Sequence, residues 1–95
     1  MIGVLTHHWA KDDKIQEARD LLDRNGEAQS KAPGFVSRVT LYSRTDPSKV
    51  TTLVNWDSNE IYDGWRASPE RSAVMSGADV LWSQSPESER FDVAE

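Results

Sequence analysis

The chain has 95 residues, of which 37% are hydrophobic, and carries a formal net charge of -5 with no cysteine. These bounds exclude a disulfide framework and thiolate chemistry, and the scattered arginines form no basic stripe of the kind that nucleic-acid binding needs. One domain over residues 1–95 is expected, with a core thin enough that pairing with a second chain would help to stabilise it.

Residues 2–9 read as a strand, with Ile2, Val4, Thr6 and His8 on one face and Gly3, Leu5, His7 and Trp9 on the other. The opening Met1-Ile2-Gly3-Val4-Leu5 meets polar His7 and His8 too soon for a signal-peptide core. No apolar run approaches the ~20 residues of a membrane helix. A cytoplasmic location without membrane contact is therefore expected. Asp12-Asp13 opens a helix, with Asp13 and Gln16 spaced as a capping box. Ile15, Ala18 and Leu22 form its apolar stripe, with Leu21 beside it. The same face continues into Asn25, Gly26 and Gln29, so the stripe fades, and an exposed end is expected there rather than the roof of a cavity.

Pro33-Gly34 stops the helix. Phe35 to Arg44 and Lys49 to Asp57 read as two strands, joined into a hairpin by Thr45-Asp46-Pro47-Ser48. Both faces of each strand carry apolar groups, unlike a sheet with one solvated face. Asp57 or Ser58 caps a helix carrying Ile61, Tyr62 and Trp65. Ser68-Pro69 restarts it with a cap and a proline at the first helical position, and Gly77 ends it. Residues 78–82 fit a packed loop or a short strand. Pro86-Glu87-Ser88-Glu89 reads as polar loop, and Phe91 and Val93 as a final strand.

The order β-α-β-β-α-β predicts an α+β fold, a ferredoxin-like plait in which helices cover one side of an antiparallel sheet. Either Val36 and Tyr42 or Val39 and Leu41 then lie on the uncovered side. The same face of a second copy is the simplest cover, which predicts a homodimer through the helix-free sheet face.

The run Lys31-Ala32-Pro33-Gly34-Phe35, then Trp56-Asp57-Ser58-Asn59-Glu60, then Trp65-Arg66-Ala67-Ser68-Pro69 resembles the antibiotic biosynthesis monooxygenase family. The resemblance covers nearly the whole chain. It implies a dimeric α/β barrel, in which two sheets close face to face and each subunit keeps a ligand cavity between its own sheet and helices. It also implies oxidation of a small aromatic molecule, quinol-like or anthrone-like, by O2 with no cofactor.

His7 and His8 are the only histidines and point to opposite faces of one strand, so one metal cannot take both from a regular strand. No metal site is expected. In the cofactor-free reading His7 is the base that forms the substrate anion, because an imidazole titrates near neutrality. Trp65 would give a flat wall, and Asn55, Tyr62 or Arg66 would orient the substrate's oxygens. His8 would lie toward the dimer interface, and Arg38 and Arg44, on the Tyr42 face, could pair with acids across it. A plainer reading makes His7 a surface or interface group and the tryptophans packing residues. Haem-degrading relatives suggest an alternative, a haem or tetrapyrrole binder. Trp65 keeps their tryptophan, His7 stands at their asparagine position and Met75 at their ligand histidine, where methionine can also hold haem iron. A third reading is a non-catalytic scaffold whose interior is filled by Trp9, Trp65 or Trp82.

Overall fold

A computed structural model describes residues 1–94. Its elements are β1 (Ile2–Ala10), α1 (Ile15–Ser30), β2 (Phe35–Tyr42), β3 (Lys49–Trp56), α2 (Asn59–Arg66), α3 (Pro69–Met75), a 3-10 turn (Ala78–Leu81) and β4 (Trp82–Asp92). The sheet order is β2-β3-β1-β4, and every pairing is antiparallel. This is the ferredoxin-like plait. The sheet stays open.

Local chemistry sets most of the boundaries. Gly34 takes φ 81°, a left-handed conformation that side chains disfavour, and any Cβ there would run into Ile61. Glycine thus lets the chain leave α1 beneath α2. The Ser58 hydroxyl accepts from the Ile61 N–H at 3.2 Å, and the Ser68 hydroxyl accepts from the Arg71 N–H at 3.2 Å. Both helices therefore start on a serine cap, and Pro69 needs no hydrogen-bond partner in its first turn. In the β2–β3 turn the Asp46 carboxylate accepts from the Ser48 N–H at 3.0 Å and hydroxyl at 2.6 Å.

Two expected boundaries are corrected. Helix α1 starts at Ile15 after Lys14, with no side-chain cap. A turn closed by Lys14 N–H to Lys11 C=O takes up the two aspartates, and Gln16 instead donates to Asp20 at 2.9 Å. The supposed polar loop at 86–89 is part of the eleven-residue strand β4. Strand β1 needs a partner on its outer edge, and the backbone of a polar segment serves as well as any other. An edge strand also tolerates Pro86, which falls at the bulge between the His7–Glu87 and Trp9–Gln84 pairings.

The core lies between sheet and helices. Trp56 is fully buried among Ile2, Val4, Val54 and Trp65, with Phe35, Ile61 and Tyr62 packed around them. The Trp56 ring stacks on Trp65 at 6.0 Å between centroids and meets Phe35 edge-on at 5.8 Å. Among the described residues no element covers the opposite face of the sheet. Val39, Leu41 and Phe91 remain 45%, 47% and 43% exposed there. Of the two expected uncovered pairs it is therefore Val39 and Leu41, because Arg38, Thr40 and Tyr42 register with the helix-side residues Val54, Thr52 and Val50.

Candidate active site

The helix side of the sheet changes character along β1. Near Ile2 and Val4 large side chains fill the space under the helices. Toward Thr6, His8, Thr52 and Ser88 the side chains are shorter or polar, and a cavity of about 410 Å³ remains. Helix α1 roofs it with Leu22, Asn25 and Gln29, α2 with Tyr62, Trp65 and Arg66, and α3 with Arg71 and Met75. The second half of α1, expected to be exposed, is buried. Asn25 is 8% exposed and Gln29 5%, because these polar side chains face the cavity rather than water. Trp65 and Trp82 wall this space without filling it.

His8 is buried on the cavity side of β1. Its Nδ1 lies 3.2 Å from the Val50 carbonyl oxygen. A carbonyl only accepts, so Nδ1 carries the proton and Nε2 is the acceptor nitrogen. Burial pushes the imidazole pKa below 6.5; the bond to Val50 opposes this, and the charge of Arg38 and then His7 add to it. His8 is thus a neutral base near pH 7, with the Trp82 ring 5.5 Å away.

Arg38 reaches from β2 to α1. It donates to Gln29 Oε1 at 2.6 Å and to the Leu22 carbonyl at 2.8 Å. Gly26 makes this approach possible, since a Cβ there would stand 2.5 Å from Arg38 Nε. Burial lowers the guanidinium pKa, with Asp23 opposing, but arginine stays charged near neutrality. Among the described residues no carboxylate forms an ion pair with Arg38; the two ion pairs are Lys31–Glu27 and Arg90–Asp63. Arg90, also on the cavity, is committed to Asp63 at 2.7 Å and lies over the Tyr62 ring.

Four of the expected ligand contacts, Trp65, Tyr62, Arg66 and Met75, do share this cavity. His7 and Asn55 do not. Strand alternation places both on the uncovered face, where His7 Nδ1 meets Thr51 Oγ1 at 2.7 Å and Asn55 donates to Ser37 Oγ at 3.0 Å. The placement expected for His7 is therefore corrected: His8 holds the cavity position. Arg38, expected to face a partner chain, points to the helices instead. Sequence reading weighed Asn25 and Gln29 as the roof of a cavity but preferred an exposed end, and it passed over Arg71. The signal available was the mid-helix Gly26, which costs helix stability and has a use only if something packs against it. Among the described residues no three of His, Cys, Asp or Glu converge as metal ligands, and no helix is long and apolar enough to cross a membrane.

The family model described as antibiotic biosynthesis monooxygenase matches residues 1–76. No curated protein matches the chain. Among solved structures, an antibiotic biosynthesis monooxygenase superposes with TM-score 0.89 at 15% identity, covering 100% of both chains. SnoaB from Streptomyces nogalater, a cofactor-independent oxygenase, gives 0.87 at 15% identity over 99% of this chain and 93% of its own. The Mycobacterium tuberculosis protein Rv0793 gives 0.88 at 16% identity over 99% and 95%. At these identities the structural likeness establishes the fold alone.

Proposed function

Because the chain belongs to the antibiotic biosynthesis monooxygenase family, we propose that it oxidises a small quinol-like or anthrone-like aromatic with O2 and no cofactor. The reaction takes place in the cavity between sheet and helices. The observation that carries this reading is one cavity bounded by a neutral buried imidazole, His8, and an aromatic wall, Trp65. SnoaB, of the same fold, is a cofactor-independent oxygenase, which supports the reaction type.

His8 Nε2 takes a proton from the substrate, leaving a delocalised anion. The anion gives one electron to O2, and the resulting radical pair joins into a carbon–peroxide bond. The peroxide takes the proton back from His8. Loss of the remaining hydrogen on that carbon, with cleavage of the O–O bond, yields a ketone and water. One oxygen atom enters the product and the other leaves as water. The protein supplies a base, a flat wall and exclusion of water; Arg38 adds positive charge beside the anion.

The working unit of this reading is a homodimer. Val39, Leu41 and Phe91 leave an apolar patch on the uncovered sheet face, and an identical face would bury it.

Oxygen uptake with a panel of quinols and anthrones tests the oxidation. Uptake above buffer is expected, falling by about a hundred-fold or more in His8→Ala and unchanged in His7→Ala. No uptake, or equal rates in His8→Ala and the parent, overturns the reading. A Soret band on titration with haem would assign the cavity to a tetrapyrrole instead.

A further inference from the structure

The cavity has a charge of its own, at odds with that of the chain. The protein carries -5 overall, yet four of its seven arginines, Arg38, Arg66, Arg71 and Arg90, line this one cavity, and among the described residues no aspartate or glutamate does. Arg90 is neutralised by Asp63. The other three enter no ion pair among the described residues. Arg38 is the costly one. It is half-buried against α1 with no ion-pair partner among the described residues, Asp23 acting on it only from beyond ion-pair distance, and removing a charge from water without a partner is unfavourable. Its two donated bonds go to neutral oxygens, and the second N–H on each of its two Nη atoms has no partner among the described residues and can receive an anion.

A second observation is independent of charge. Asn25, beside Gly26 on α1, is 8% exposed and lines the same cavity, and its Oδ1 has no hydrogen-bond partner among the described residues. A buried acceptor left unpaired costs stability. It calls for a donor, and an aromatic hydroxyl is such a donor. The walls around these groups are flat or apolar, with Trp65, Tyr62 and Val54.

We propose that the substrate taken by this cavity is a hydroxylated aromatic acid, its carboxylate on the Arg38 guanidinium and its hydroxyl toward Asn25 Oδ1. This rests on the reading of the cavity as an aromatic substrate site and adds the acid to it. Arg66 and Arg71, on α2 and α3, strengthen the positive field that draws the acid in. Burial first, and then the charge of Arg38, keeps His8 neutral, and that charge also stabilises the anion that His8 creates.

Binding under anaerobic conditions tests the proposal without turnover. The probes are 4-hydroxy-2-naphthoate and its uncharged isostere 4-hydroxy-2-naphthamide, whose hydroxyl lies meta to the acid or amide and so stays free to donate, followed by tryptophan fluorescence. The acid should bind about ten-fold or more tighter than the amide, and added sodium chloride should weaken the acid alone. Arg38→Met, which replaces a lone charge with an apolar chain of similar length, should abolish the preference, while Arg38→Lys should keep part of it. Asn25→Leu should weaken both hydroxylated probes. Equal affinities for acid and amide overturn the proposal, as does a preference that survives in Arg38→Met. Should that variant fail to fold, the salt response of the parent protein decides between the same two outcomes. A protein that captures the acid yet consumes no oxygen keeps this inference and loses the oxygenase reading. One that oxidises neutral and acidic quinols with equal kcat/KM does the reverse.

Discussion

The guanidinium stem of Arg38 occupies the space where a side chain at residue 26 would begin. A Cβ added to Gly26 would stand 2.5 Å from Arg38 Nε and 2.8 Å from its Cδ. Glycine in mid-helix costs about 1 kcal/mol relative to alanine, so here helix stability is exchanged for access to the Leu22 carbonyl and Gln29. In Gly26→Ala, Arg38 must leave both acceptors. Losing two charge-assisted bonds, at about 1.5 kcal/mol each or more, outweighs the helical gain, so a net loss of about 1–2 kcal/mol is expected. In an Arg38→Ala background the same change should stabilise by about 1 kcal/mol. Urea denaturation of the four proteins of this cycle reads the reversal of sign; destabilisation of similar size in both backgrounds would refute the relationship.

Trp56 is fully buried at the centre of the aromatic cluster, and its Nε1 donor has no partner among the described residues. Two effects of one residue are therefore opposed. The ring's volume stabilises, and the unsatisfied N–H detracts. Trp56→Ala should cost about 3–5 kcal/mol by loss of packing and creation of a cavity. Trp56→Phe keeps an aromatic face for Trp65 and Phe35 and removes the orphaned donor, so its cost should stay below about 1.5 kcal/mol. Thermal melts of the two variants separate the contributions. Equal, large losses would mean that the indole N–H is satisfied after all.

His8 gives stability a pH dependence of definite sign. Burial, then the charges of Arg38 and His7, depress its folded pKa below 6.5, against the bond to Val50. The unfolded chain then binds more protons than the folded one between the depressed value and 6.5. Stability contributed by the neutral imidazole is complete above that range and is lost as pH falls through it. Midpoints of urea unfolding should decline on acidification through this window in the parent protein. His8→Gln should remove that part of the slope, while His7→Gln, on the uncovered face, should keep it. A parent and a His8→Gln variant with parallel profiles would show that His8 does not titrate differently on folding.

What the sequence disclosed was local. Pro33-Gly34, Ser58 and Ser68-Pro69 act through their own backbone and near neighbours, and all three mark element ends in the structure. Strand alternation likewise divided Ile2, Val4, Thr6 and His8 from Leu5, His7 and Trp9 correctly. It did not say which set would meet the helices. That is fixed by where α1 and α2 come down, a non-local matter, and the base was accordingly expected at His7 rather than His8. A final strand was expected at Phe91, but the earlier part of β4 was hidden for a related reason: its residues are exposed and polar, and only pairing with β1 makes them a strand. The cavity's charge was also invisible, because Arg38, Arg66, Arg71 and Arg90 lie on four different elements and look scattered until the fold gathers them.

The uncovered sheet face makes the assembly testable apart from the chemistry. Leu41 is 47% exposed beside Val39 on β2, and β3 contributes half-buried Leu53 in register with Val39. If an identical face covers this patch, each copy of Leu41 loses its remaining contact with water, worth about 1 kcal/mol per chain. Leu41→Lys would instead bury a charge at both copies, since a two-fold interface repeats every change. The dissociation constant of the dimer should then rise by about a hundred-fold or more. Light scattering behind size exclusion should show twice the chain mass for the parent and the chain mass alone for Leu41→Lys, with an unchanged circular dichroism spectrum. Val80, 61% exposed in the 3-10 turn and away from the sheet face, serves as the control, and Val80→Lys should leave the mass doubled. A parent protein that runs at single-chain mass would leave the patch of Val39, Leu41 and Phe91 facing water and remove the homodimer from the proposal.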